Sequence, residues 1–238
     1  MLQINKFSVA TPDEDGNMLV MSSATVTNSS QETIDQIRYS AVFLDANGGP
    51  AGFAMTTPDD CTVPPGESVD MSPTGFVSSF ASAGGRDDLT LLINTDLLVK
   101  RNFDLGQLKS PTLEDPVCST VTEATDTSLI SDIHLSVSIV EYDDPKECDL
   151  ALRALLKSES TQMYEDAEVE FVICDESGEE VLRDTLRSNI PSNGLGMFEG
   201  SLYGIKKKEL TEGQVTVTLC VFDEVVGSSA QARSTAED

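Results

Sequence analysis

The side chains that carry most enzyme chemistry are scarce or scattered in this chain. His134 is the only histidine, so a histidine-based metal site or a cysteine–histidine dyad would rest on one residue. It follows Asp132 by two positions, opens an apolar/polar alternation, and reads as a structural residue on a strand. The five cysteines, Cys61, Cys118, Cys148, Cys174 and Cys220, fit no C-x-x-C zinc spacing. Cys148 and Cys220 are as far apart as the core disulfide partners of an immunoglobulin domain. However, Cys148 shares parity with Leu150, Leu152, Ala154 and Leu156. Cys220 shares parity with Thr216 and Thr218, opposite to Val215, Val217, Leu219 and Val221. An inward and an outward cysteine cannot join across a core. Cys174, beside Glu170, also falls on an outward parity, and all five are read as reduced thiols in a reducing compartment.

Carboxylates are abundant but not arranged for catalysis. "DEDGN" at 13–17 alternates oxygens as a calcium loop does. Yet Gly16 takes the fourth position rather than the sixth, and Ala24 stands where the twelfth-position glutamate belongs. A hairpin turn is the expected structure. "EYDDPKE" and "TPDDC" are further acidic turns, which leave open a weak calcium site shared between loops. Neighbouring acids such as Asp87–Asp88 and Asp143–Asp144 cannot flank a cleft as glycosidase carboxyls must. No nucleophile elbow, phosphate-binding loop or dinucleotide fingerprint is present. These residues point to no catalysis, no metal and no cofactor.

The charge balance narrows the partners. Forty-one acids face fifteen bases, a net charge of −26 over 238 residues. The acidity is spread along the whole chain. The three lysines Lys206, Lys207 and Lys208 form the one basic cluster and read as a solvated loop. Nucleic acid is disfavoured, because phosphate binding needs a basic footprint. The acidity either adapts the protein to a salt-rich solvent or steers a basic protein partner. No apolar run is long enough to span a membrane. The N-terminus lacks a basic, then apolar, signal segment. A cytoplasmic location is therefore expected.

The elements that position these side chains read as strands. Short runs rich in Val, Ile, Thr, Phe and Leu are divided by Gly, Pro, Asn and Asp, and helical periodicity is hard to find. The stretch "KSPTLEDPVCSTVTEATDTSLISD" is polar and breaks the pattern. The second half repeats the first. "NSSQETIDQIRYSAVFLDANG" matches "SESTQMYEDAEVEFVICDESG" without a gap, 130 residues on, and "VPPGE" is answered by "IPSNG". The expectation is all-β, with two tandem immunoglobulin-like β-sandwich domains at 1–110 and 130–238, a polar linker at 111–129, and a frayed acidic tail "GSSAQARSTAED".

The repeated unit resembles the FxLYD-type immunoglobulin-like domains of bacteria and archaea. The residues concerned are Val26-Thr27-Asn28-Ser29, the alternating strand Tyr39 to Leu44, the turn Asp45-Ala46-Asn47-Gly48 and the corner Pro64-Pro65-Gly66-Glu67. In the second copy Ser158 replaces Asn28, and Pro191-Ser192-Asn193-Gly194 replaces the corner. The resemblance covers about half of each repeat and implies a non-catalytic adhesive or accessory module.

"GFVSSF" and "GMFEGSLYGI" occupy matching places in the two repeats and place aromatics among small residues. Core packing and a binding patch both fit. As a patch, Phe76, Phe80, Phe198 and Tyr203 are the candidate partner-binding residues. The expected function is that of an adaptor docking a protein partner through sheet edges or an acidic face. A structural subunit that self-associates is the alternative, and it leaves homo-oligomerisation open.

Overall fold

The computed structural model describes residues 1–10, 13–15, 17–54, 59–77, 89–111, 129–141, 146–210, 213–233 and 235–236. Among them the chain is all-β, with a twelve-stranded, mainly antiparallel sheet and a separate three-stranded one. The one helical piece among the described residues is a single 3-10 turn, Lys207–Glu209. Alternation explains the strands. In the strand Met18–Thr27, Met18, Val20, Ala24 and Val26 are buried while Leu19 and Met21 face solvent. An apolar side chain at every second position can fill only one side of a strand.

Two compact units result, Met1–Lys100 with Asp223–Asp238, and Arg101–Phe222. In the first, β1 (Leu2–Val9) pairs with β2 (Met18–Thr27), which also pairs with β6 (Ser68–Met71) and β7 (Thr74–Val77). The strand β3 (Ile34–Leu44) pairs with β4 (Pro50–Ala54), β5 (Asp59–Val63) and β8 (Thr90–Lys109). In the second unit, β9 (Ile130–Glu141), β10 (Glu147–Ser158) and β13 (Leu195–Lys206) make the small sheet with β10 central. There β11 (Tyr164–Cys174) lies between β12 (Glu180–Ile190) and β14 (Gln214–Arg233). One apolar core in this unit draws Leu135 and Phe198 from the small sheet and Phe171 and Val217 from the other ladder.

The repeat is legible atom by atom. β3 and β11 are both eleven residues long, and Ile34, Ile37, Ala41 and Phe43 are buried as Tyr164, Ala167, Phe171 and Ile173 are. Each strand ends in the same turn. Asp45 Oδ1 accepts from Asn47 N and Gly49 N, both at 2.8 Å; Asp175 Oδ1 accepts from Ser177 N at 2.8 Å and Glu179 N at 3.0 Å. Gly48 and Gly178 sit at φ of 80° and 84°, which other residues adopt only with strain.

The division between units differs from the expected split at 110 and 130. β8 and β14 are each twenty residues long, where strands usually run about 3–10. Each serves its own repeat first and then enters the other unit. Leu105 and Leu108 of β8 are buried in the core of the second unit. Val225, Val226, Ala230 and Ala232 of β14 pack on the core of the first. The expected frayed tail is therefore strand as far as Arg233, and β15 (Thr235–Ala236) then pairs in parallel with the end of β1. Residues 112–128 of the expected linker, and Cys118, lie outside the described residues. Cys61, Cys148, Cys174 and Cys220 form no disulfide. Cys220 does face away from Val217 and Leu219, but it is buried there too, because β14 is covered on both sides at that point.

Asn28, the motif residue of the first repeat, is a fully buried hydrogen-bond hub. Its Nδ2 donates to the carbonyls of Glu32 and Val63, each at 2.8 Å, and its Oδ1 accepts from Ser30 N and Ser30 Oγ. Its main chain ties to Glu67 and Gly66 at the proline corner. Ser158, its counterpart, is also buried but makes one of these side-chain contacts, accepting from Ser160 N at 3.1 Å. Asn28→Ala is expected to cost about 2–4 kcal/mol, since two carbonyls lose their donor, and Ser158→Ala about 1 kcal/mol. Urea unfolding of the two variants measures the difference, and equal losses would reject the hub.

Candidate functional site

Of the sequence-predicted aromatics, Phe198 and Tyr203 do not share a face of their strand. Phe198 is buried in the core of the second unit, opposite Ala154 in the β10–β13 ladder. Its even position puts it on the inward parity of β13, and the core-packing reading holds for it. Tyr203, five residues on, is 75% exposed. Phe76 lies in β7, with its backbone opposite Leu19 and Phe53. Phe80 lies outside the described residues.

Tyr203 keeps the outward parity of β13, and the inward parity switches just after it, from Phe198 and Leu202 to Ile205, at a β-bulge. Leu202 pairs with Leu150 and Ile205 with Cys148, so Tyr203 and Gly204 together oppose Asp149. Such a two-against-one count bends a strand and re-aims its side chains. Gly204 takes φ of 65°, a conformation that residues with a side chain adopt only with strain. Asp149 is 4% exposed, and its Oδ1 accepts the Gly204 N–H at 3.0 Å. A buried carboxylate thus holds the bulge from below.

Upstream of the bulge, the outward face of β13 is unusually apolar. Leu195 and Met197 are 59% and 58% exposed. Met197 lies in register with half-buried Leu155 of β10, and Leu155 with His134 of β9. Polar pairs rim this centre: Arg153 Nε–Glu199 Oε1 at 2.8 Å, Lys157 Nζ–Glu159 Oε1 at 3.2 Å and His134 Nε2–Asp132 Oδ1 at 3.1 Å. An apolar centre inside a polar rim is the usual plan of a docking surface. β13 is also an end strand of its sheet. The outward face of β11 and β12 is different: Arg183 bridges Glu180 and Glu170, both at 2.6 Å, and Arg187 reaches Glu168 at 2.7 Å. In the first unit, Leu19, Met21 and Phe53 are also exposed.

Downstream of the bulge, the three consecutive lysines meet a fourth. Lys206, Lys207 and Lys208 join Lys146 in lining a cavity of about 410 Å³. Lys207 N donates to the Lys146 carbonyl at 3.0 Å, which pins the two segments together. Sequence reasoning missed this site because Lys146 is 60 residues away, and only the β10–β13 pairing brings it close.

Two acidic turns are self-satisfied, whereas residues 57–58 of "TPDDC" and 142–145 of "EYDDPKE" lie outside the described residues. Asp13 Oδ1 accepts from Asp15 N at 3.0 Å and Asn17 N at 2.7 Å, closing the expected hairpin turn. Asp175 lies below its ordinary value, chiefly because Ser177 Oγ donates to it and then because the Glu179 amide does. A lowered carboxylate contributes stability above its ordinary value near 3.8, and that contribution disappears as pH falls through the lowered one. Asp175→Asn is therefore expected to reduce stability at neutral pH and to flatten the acid limb of the stability–pH curve. Denaturant titrations from pH 6 down through the carboxylate range check this; a limb of unchanged slope would reject it.

Comparison with known proteins identifies no family. No family model and no curated protein matches the chain. Among solved structures it is similar to red sea bream transglutaminase, at 10% identity and a TM-score of 0.24, over 100% of this chain but 31% of that one. It is also similar to the infectious bursal disease virus VP2 subviral particle (11% identity, TM-score 0.23, 97% of this chain and 70% of that chain). The T13 particle of the same virus gives 10% identity and a TM-score of 0.27 over 97% of this chain and 68% of that chain. The chain spans less than a third of the transglutaminase chain. At these scores the likeness assigns neither a family nor an activity. No helix among the described residues is long and apolar enough to cross a membrane.

Proposed function

We propose that the protein is a non-catalytic adaptor built from two immunoglobulin-like sandwiches, and that it docks a protein partner on the outward face of β13. The observation that carries this reading is the exposed pair Leu195 and Met197 on an end strand, seated beside Leu155 within a rim of ion pairs. Large apolar side chains at the centre of such a face contribute most of the energy of an interface, while the rim contributes little. The net charge of −26 favours a basic partner and speeds its approach at low salt. Nucleic acid and membrane are not the expected targets, and a cytoplasmic setting fits the reduced cysteines.

The test compares proteins retained by the wild-type chain with those retained by Met197→Glu. A partner lost with Met197→Glu but kept by Phe53→Glu supports the β13 face. Retention by both variants rejects it. An end strand can also accept a strand from a second copy, so a self-associating subunit is the competing reading. Light scattering on a sizing column at about 0.05 and 2 M KCl separates the two, because screening of repulsion grows with salt. One species near 25.5 kDa at both salts removes the subunit reading. A defined larger species at high salt replaces the adaptor with it.

A further inference from the structure

We infer that Asn193 is a site of spontaneous covalent modification, at which the main-chain nitrogen of Gly194 attacks the side-chain amide and converts it to aspartate and isoaspartate. The chain contains two Asn-Gly pairs, Asn47-Gly48 and Asn193-Gly194. Glycine is the residue that hinders this attack least, because it has no Cβ to shield the nitrogen or restrict its backbone. The fold closes one of the two pairs and leaves the other open.

Asn47-Gly48 is the closed pair. Gly48 N donates to the Asp45 carbonyl at 2.9 Å, and Asn47 N donates to Asp45 Oδ1 at 2.8 Å. Asp45 Oδ1 also accepts from Gly49 N, so the whole turn after β3 is tied to one aspartate. A nitrogen whose proton is held in this way must break a hydrogen bond before it can attack. Asn193-Gly194 is the open pair, in the exposed corner between β12 and β13. Asn193 N donates to the Ser160 carbonyl and Ser158 N to the Gly194 carbonyl, each at 2.8 Å. These bonds hold the corner on either side of the reacting atoms without using them. Among the described residues, neither Gly194 N–H nor the Asn193 side-chain amide has a hydrogen-bond partner. Asn193 also sits at φ of 47°, a region that residues with a side chain occupy at a cost. Leaving that conformation is therefore less opposed than leaving a relaxed turn.

The step needs only water. Gly194 N loses its proton to solvent and bonds to Asn193 Cγ. The Cγ–Nδ2 bond breaks, and the nitrogen takes up a proton and leaves as ammonia. The product is a five-membered succinimide ring. Water opens it at Cγ to give aspartate, or at the main-chain carbonyl to give isoaspartate. Either product places a new carboxylate two residues ahead of exposed Leu195. Isoaspartate also adds one carbon to the main chain just before Leu195 pairs with Lys157. The corner that enters β13 thus carries an irreversible mark of the age of the molecule.

Ageing the full, folded chain in mildly alkaline buffer tests the assignment, with proteolysis and mass spectrometry at intervals; the result does not depend on the docking face of β13. Conversion at Asn193 is expected to be about fivefold or more faster than at Asn47, the factor that one intact hydrogen bond on Gly48 N supplies. An isoaspartyl methyltransferase, used as a probe, should label the peptide that contains residue 193. Asn47 is the control within the same molecule, because global unfolding would open both pairs alike. The assignment is overturned by no conversion at Asn193 or by conversion at Asn47 that is as fast or faster. Aspartate without isoaspartate would also overturn it, since the amide would then be hydrolysed directly and not through the ring.

Discussion

Deleting residues 223–238 is expected to unfold the first unit and leave the second folded. The deleted stretch looks dispensable, since it is polar, acidic and terminal. In the structure it supplies the strand beside β8. Thr95 Oγ1 meets Ser228 Oγ at 2.9 Å there, and Val225, Val226, Ala230 and Ala232 cover the core. Half-burying two valines and two alanines is worth about 3 kcal/mol, and each ladder hydrogen bond lost adds about 1 kcal/mol. That sum is comparable with the whole stability of a domain, about 5–15 kcal/mol. Amide hydrogen exchange reads the outcome by element. Protection should collapse in β3 and in the first half of β8, and persist in β10 and β13. Unchanged protection in β3 would show that the strand is ornamental.

The same logic applies to the isolated repeats. A fragment of residues 1–110 lacks its strand from β14 and exposes Phe103, Leu105 and Leu108, which belong to the other core. A fragment of 130–238 lacks those three residues. Each half of the sequence is thus incomplete, although each repeat is complete as a pattern. The two long strands thus make the two sequence repeats, rather than the two units, depend on each other.

Local order was readable because strand alternation and turn chemistry are local. Ile34 to Phe43 and Tyr164 to Ile173 announce their buried faces by parity, and Asp45 and Asp175 announce their turns. The strand extensions were not readable. Residues 223–233 are only half-buried, so their alternation is faint, and nothing local says that they pair with a strand 130 residues earlier. The candidate site was split in the same way. Lys206 to Lys208 are conspicuous, but Lys146 joins them only through pairing. Tyr203 and Phe198 have opposite parity, which the sequence shows. The bulge that turns Ile205 inward just after Tyr203 is held by Asp149, a buried acid of β10, and no rule of alternation predicts it.

Phe198→Ala is expected to destabilise the second unit by about 3–5 kcal/mol, as truncation of a fully buried aromatic does. Phe198 is 1% exposed and sits in the core against which both ladders of its unit pack. The neighbouring strands are held in register by their own hydrogen bonds, so the site cannot collapse to fill the void. Tyr203→Ala should change stability by no more than about 0.5 kcal/mol, because it removes an exposed ring at a bulge whose geometry rests on Gly204 and Asp149. Two aromatics five residues apart on one strand therefore separate fold from recognition. If Tyr203 belongs to the docking surface, its removal weakens partner capture with the unfolding midpoint unchanged, while Phe198→Ala lowers both together. Denaturant unfolding of the two variants side by side decides this. A small loss for Phe198→Ala would mean that the core of the second unit is loose, and the docking face built on it would then have no rigid base.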